Sequence, residues 1–249
     1  TNQQVGELIK EAAATTPPPG SAQEKIKILY DNFTDMNARN DAGYTPIEKD
    51  LQAIEKIKNV SELDETMVMA DSTSVLSMLT GFTLTIDAQD SNKYLTMFQP
   101  ASAALTKQVY NGESEIQKNA YLKYITTLLT LCGEDDETAA RNAQAFFEFE
   151  KQLSSASLTP AEQYDLEKTY NIYSLDELQE IFFNVDLEAA FTQTGLKDNN
   201  RILVQDKGNM TRLAELLTDE NIETIKNYLK IELIKNCAGL FGEDFRNAG

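Results

Sequence analysis

Residues 157–180 read "SLTPAEQYDLEKTYNIYSLDELQE", and this stretch holds two helix-start signals close together. Thr159, Pro160 and Glu162 place a capping hydroxyl, a first-turn proline and a back-bonding carboxylate in the order that a helix N-terminus wants. Ser174 and Glu177 repeat the box just before Leu178, Ile181 and Phe182. Between them "EKTYNIY" reads as a short extended link. Capped helices joined by brief connections set the theme for the whole chain.

Working outward, the segment through Ala14 reads as a short helix, and "TTPPPGS" (15–21) is a Pro-rich linker that no helix crosses. Helical spacing follows in Ile26, Leu29, Tyr30 and Phe33, then in a helix capped at Thr45 with Ile47, Leu51 and Ile54 inward. Ser61 to about Thr80 is expected to be helical, with Leu63, Met67, Ala70, Val75 and Leu79 facing the core. The period then changes. "FTLTI" (82–86) alternates apolar residues with threonines, and "KYLTMF" (93–98) follows a polar turn, which predicts a β-hairpin over about 82–98. Helices return over 121–132, 140–153, 209–217 and 221–237, Asn184 or Asp186 is available to cap "LEAAF", and "RILVQ" (201–205) is a possible short strand. The expected fold is mainly α, a multi-helix single domain over 1–249 with one small β-hairpin.

Composition excludes several functions. With 22 Lys+Arg against 40 Asp+Glu the formal net charge is -18, and no basic patch interrupts it, so nucleic acid and anionic membrane surfaces are not expected partners. No apolar run approaches the roughly 20 residues that span a bilayer. The chain is expected to be soluble, and its first residue, Thr1, leaves a leader or anchor ahead of it open. Histidine is absent, which rules out Ser-His-Asp and Cys-His nucleophile systems and any HExxH zinc site within these residues. No phosphate loop, dinucleotide turn, CxxC pair or calcium loop occurs. The acidic "GEDDE" (133–137) precedes a helix and complements its positive end. Cys132 and Cys237 are expected to be plain core thiols, with pairing left open. The sequons at Asn32, Asn59 and Asn209 are near chance frequency. No catalytic, cofactor-binding or metal-ligating residue is assigned.

The stretch quoted first also resembles a segment of the neprilysin and endothelin-converting-enzyme family of zinc metallopeptidases. The resemblance is carried by Leu158, Lys168, Thr169, Tyr170, Asn171, Leu175, Glu177 and Leu178. "EKIKILYDNFTD" (24–35), "DAQDSNKYLTMFQP" (87–100), "NVDLEAAF" (184–191) and "IETIKNYLKIELIKNCAGLF" (222–241) are similar to further family segments in the same order. Departures mark a divergent member, expected to be bacterial. "ASAALTKQVY" (101–110) stands where the family has Gly-Leu-Pro-(Asp/Glu)-Arg-x-Tyr-Tyr, and Leu187, Ile231 and Thr34 replace two tryptophans and a cysteine. "NAY" (119–121) lies in the wrong region for the family's substrate-aligning strand, and Tyr121 reads as core.

The resemblance implies the non-catalytic N-terminal portion of a zinc metalloendopeptidase. Such a portion roofs an enclosed cavity, admits short peptides and excludes folded proteins. The zinc, the HExxH helix and the third ligand then belong to a C-terminal domain absent from this chain. That domain and short peptide substrates are the implied partners, and an extracytoplasmic location is implied, with cytoplasmic relatives known. Two alternatives stand beside it: a stand-alone helical domain that binds a peptide or protein without peptidase activity, and a hydrolase using carboxylates only.

Overall fold

The computed structural model describes residues 1–70, 72–196 and 200–249. The chain divides into two compact units, Thr1–Pro46 with Cys237–Gly249, and Ile47–Asn236.

The first unit holds α1 (Asn2–Ala13), α2 (Ala22–Thr34) and α3 (Met36–Ala42), with a short C-terminal helix over Glu243–Arg246. Each start has its cap: Thr1 exchanges bonds with Gln4, Ser21 accepts from the Glu24 N–H, and Asp35 accepts from the Ala38 N–H. α1 and α2 lie side by side across the proline-rich connection, and Lys27 Nζ donates to the Ala13 carbonyl at 2.7 Å. Arg39 ties the C-terminal segment down. Its fork donates to the carbonyls of Phe33, Gly239 and Leu240, each at 2.8 Å, and lies 5.1 Å from the Phe33 ring centre. Much of the apolar periodicity in this unit is uncovered: Val5, Leu8, Ile28, Leu29 and Phe33 are all exposed, Leu29 by 69%.

The second unit opens with α4 (Glu48–Glu55), and the cap expected at Thr45 does not form. Thr45–Ile47 make a 3-10 turn around Pro46, so Ile47, with no side-chain oxygen, stands at the helix start. The helix expected from Ser61 to Thr80 is also absent. In its place are a 3-10 turn at Val60–Glu62, a two-residue ladder of β1 (Met67–Val68) with β2 (Thr73–Ser74), and a single helical turn, α5 (Leu76–Leu79). Hydroxyls explain the failure, because they bond back to the backbone and compete with a helix. Thr66 Oγ1 donates to Glu62 O, Thr80 Oγ1 to Leu76 O, and Ser74 Oγ donates to Leu63 O while accepting from the Leu76 N–H. Met69 and Ala70 reverse the chain at φ of 56° each, a left-handed conformation that costs non-glycine residues energy. Leu63, Val75 and Leu79 are buried as expected, whereas Ala70 is exposed.

The hairpin forms and runs longer than its apolar core, as β3 (Thr80–Asp87) and β4 (Asp90–Pro100). After α6 (Lys107–Tyr110), α7 (Glu115–Leu131), α8 (Asp136–Ala156) and α9 (Leu166–Thr169), the link "NIY" forms β5 (Asn171–Tyr173). Then come α10 (Leu175–Ile181), α11 (Leu187–Gln193), β6 (Ile202–Val204), α12 (Lys207–Leu216) and α13 (Ile222–Ala238). The hairpin therefore belongs to a four-stranded sheet in the order β3-β4-β6-β5, in which β6 lies parallel to β4 and antiparallel to β5. Phe82 and Phe98 pair across the hairpin and meet Phe191 and Phe182 at ring centroid distances of 5.1 and 5.4 Å. A second core lies between α7, α8 and α13, where Phe146 stacks on Tyr228 at 5.3 Å. The protein is mainly α, with the sheet larger than a lone hairpin.

Where α12 starts, its backbone runs hard against the end of α8. A Cβ at Gly208 would fall 2.1 Å from the Ala156 carbonyl oxygen, so only glycine fits. Gly208→Ala is expected to destabilise the protein by about 2–3 kcal/mol, read as a lowered urea midpoint at unchanged slope.

Candidate functional site

A cleft of about 770 Å³ opens in the second unit beside this junction. One wall is the loop 101–106, which leaves β4 and enters α6; the other is the end of α8, the 157–164 segment and the start of α12. Asp206 caps α12 by accepting from the Asn209 N–H at 2.9 Å, and its second oxygen accepts from the Leu158 N–H at 2.8 Å. Lys107 Nζ reaches across to the Ser155 carbonyl at 2.8 Å, one of the carbonyls that the end of α8 leaves without a helical partner. Asn209 is 3% exposed, donates through Nδ2 to Ser157 Oγ at 3.2 Å, and its Oδ1 has no hydrogen-bond partner among the described residues.

The loop wall hangs on Glu150, a fully buried carboxylate in α8. Oε1 accepts from the Ala104 N–H and from the Tyr121 hydroxyl, both at 3.1 Å, and Oε2 accepts from the Tyr110 hydroxyl at 3.0 Å. Tyr110 in turn accepts from the Leu105 N–H, and Lys235 Nζ donates to the Tyr121 hydroxyl at 3.1 Å and pairs with Glu232. Burial pushes the Glu150 carboxyl up, against the pull of the Lys235 charge, the Ala104 N–H and the two tyrosine hydroxyls. Burial first and the Glu150 charge second push both tyrosines up, so they remain donors.

The "KTYN" segment, the most specific part of the family resemblance, turns out to be a clasp. The Tyr170 hydroxyl donates to Asp87 Oδ1 at 2.8 Å, at the turn of the β3-β4 hairpin, and Arg201 lies 3.8 Å from the other Asp87 oxygen and 3.3 Å from the Tyr170 hydroxyl. The Gln89 N–H, then the Tyr170 hydroxyl and the Arg201 charge, hold the Asp87 carboxyl below the usual range in spite of burial. Asn171 Nδ2 donates to the carbonyls of Lys168 and Val204, fixing β5 beside β6. Lys168 pairs with Glu162 at 2.7 Å, which with the Thr159 N–H and hydroxyl brings the Glu162 carboxyl down to about 2. The capping exchange at Thr159 forms but opens only a 3-10 turn, while the box at Ser174 and Glu177 starts α10 in full.

The other marked residues have structural roles. Asp135 caps α8 by accepting from the Thr138 N–H, and Glu134 accepts from Asn142. Asp186, not Asn184, caps α11. Cys132 and Cys237 are thiols, and burial, aided by the Glu134 charge, pushes Cys132 up to about 12. Among the described residues no group of three or more His, Cys, Asp and Glu side chains is placed to hold a metal ion. The residues present do not fit a catalytic zinc.

A mainly helical module on a small mixed sheet, with a cleft and, among the described residues, no group fit for a catalytic metal, is the class these features define. The profile of peptidase family M13, for its N-terminal part, matches residues 1–249, and the chain belongs to that family. It is 24% identical over 170 residues to endothelin-converting enzyme 1 of Cavia porcellus, covering 65% of this chain and 22% of that protein. It is 25% identical over 230 residues to a neutral endopeptidase of Lactobacillus helveticus, covering 90% of this chain and 35% of the relative. In fold it is similar to the zinc metalloprotease Zmp1 of Mycobacterium tuberculosis in its open state, with a TM-score of 0.86 at 22% identity over 99% of this chain and 39% of that one. The chain thus spans well under half the length of these proteins.

Two outcomes test the clasp and the buried carboxylate. Tyr170→Phe removes one donor from Asp87, and the melting temperature is expected to fall with no loss of helical circular dichroism. For Glu150 the folded carboxyl holds its proton to higher pH than in the unfolded chain. Its contribution to stability is therefore full below the ordinary carboxylate range and lost as the pH rises through the raised value. The difference in urea midpoint between wild type and Glu150→Gln is expected to shrink or change sign across that window; a difference independent of pH refutes the assignment.

Proposed function

We propose that this chain is the N-terminal, substrate-enclosing part of a zinc-dependent metalloendopeptidase that cleaves short peptides, and that the zinc is held by another part of the same polypeptide. The observation that carries the reading is the family match over the whole of residues 1–249 in a chain that has no histidine and, among its described residues, no group fit for the metal. The uncovered side chains of α1 and α2 support it. Val5, Leu8, Ile28, Leu29 and Phe33 are each more than half exposed, and the metal-bearing part of the polypeptide is the proposed cover.

A rigid helical cover over a reaction chamber selects by size, because a folded protein cannot enter and a short flexible peptide can. It has to move against the metal-bearing part to admit and release peptides. An extracytoplasmic location goes with this proposal. No helix of the described residues is long and apolar enough to cross a membrane.

Zinc content and peptidase activity, measured side by side on this chain and on the full-length product of its gene, test the proposal. Zinc and activity confined to the longer product are expected. Turnover by residues 1–249 alone refutes a non-catalytic cover, and a longer product without zinc or turnover turns the reading to a peptide-sequestering protein.

A further inference from the structure

We propose that the outer edge of β3 pairs with β3 of a second copy of this chain, antiparallel across a two-fold axis at Leu84, and so joins two four-stranded sheets into one. This goes beyond the enclosure of a peptide and does not depend on it.

The first support is the row of main-chain groups along that edge. β3 ends the sheet order, with β4 on one side and no strand on the other. The Ala101 N–H donates to the Leu79 carbonyl at 2.7 Å, in the register that pairs Thr80 with Pro100, and this sets the alternation along the strand. Gly81, Thr83 and Thr85 therefore turn their N–H and C=O groups toward β4, while Phe82, Leu84 and Ile86 turn theirs outward. Among the described residues no hydrogen bond reaches those outward groups. Edges of this kind are commonly blunted by a charge, a proline or short length. β3 has eight residues, and "TGFTLTI" (80–86) holds neither a charge nor a proline.

The second support is the fit of the side chains to themselves. Leu84 is 54% exposed, Ile86 56%, and Tyr94, opposite Ile86, 69%, so the apolar face continues past Phe82 without cover. A two-fold axis at Leu84 sets that residue against its own copy, Phe82 against Ile86 and Thr83 against Thr85. Aromatic with β-branched and threonine with threonine are pairs that stabilise neighbouring strands. The outward residues of the two copies then exchange about six main-chain hydrogen bonds.

The third support is charge. At a formal net charge of -18 two copies repel one another over most of their surface. This edge is the exception. Asp87, at its end, is 3% exposed and accepts from the Tyr170 hydroxyl and the Gln89 N–H, and Asp90, past the turn, pairs with Lys93 at 2.9 Å. An acidic or basic partner would find no opposite charge along the strand, whereas a second copy brings no like charge to face another.

The test is sedimentation velocity of the full-length product of the gene across a concentration series. A reversible dimer is expected, and its fraction is expected to rise as salt goes from about 0.01 to about 1 M and the screening length falls from about 30 to about 3 Å. Leu84→Lys sets two ammonium groups against each other at the axis and is expected to abolish the dimer at an unchanged melting temperature. Ile116→Lys, the same change at an exposed position of α7, is expected to leave it. Oxidised Leu84→Cys is expected to trap the dimer as a disulfide, because residues paired across the axis lie about 5.5 Å apart at Cα, and Ile86→Cys is expected not to. A monomer at every concentration, a dimer indifferent to Leu84→Lys, or one that salt dissociates overturns the pairing. Dimers of residues 1–249 with a monomeric longer product give the edge to another part of the polypeptide and overturn the second copy as its occupant.

Discussion

One carboxylate with no access to water organises the larger unit. Glu150 sits in α8 among Phe146, Phe147, Phe149 and Leu153, where an isolated charge would carry a large desolvation cost. That cost is offset by three donors from three places: a loop N–H at Ala104, a hydroxyl from α6 and a hydroxyl from α7, with Lys235 of α13 behind the last. Because the oxygens are satisfied only when all of these arrive together, the carboxylate sets the positions of α6, α7, α13 and the cleft loop relative to α8.

Much of the architecture was legible in the residues. The long helices, the caps at Ser174 and Asp186, the hairpin and the strand at 202–204 all follow from period and capping chemistry. The stretch 61–80 misled because Leu63, Val75 and Leu79 keep an apolar spacing that a compact irregular segment also satisfies, while the deciding hydroxyl bonds of Thr66, Ser74 and Thr80 have no periodic signature. The candidate site was not legible. Glu150 is one of 40 acidic residues, and what singles it out is its place on the apolar face of α8, three and four positions from Phe147 and Phe146. Asn209 likewise shows its significance only where α8 and α12 meet.

The family motif has a physical explanation of its own. "KTYN" reads like a signature of function, yet its tyrosine and asparagine are spent on Asp87 and Val204, holding the hairpin turn and β6 to β5. The pattern that carries the family resemblance is in this case a record of how distant segments are fastened. Those two residues therefore act on the fold of this unit, through bonds to the hairpin turn and to β6.

The parallel pairing of β4 with β6 has a consequence for biosynthesis. Thr96 and Phe98 take partners at Ile202 and Val204, roughly a hundred residues later in the chain. At ribosomal speeds that interval is on the order of 5–20 s, during which the hairpin exists with Phe82 and Phe98 lacking Phe182, Phe191 and β6. The nascent chain therefore carries an open strand edge and a bare aromatic face for seconds, long enough for pairing with another chain to compete with folding.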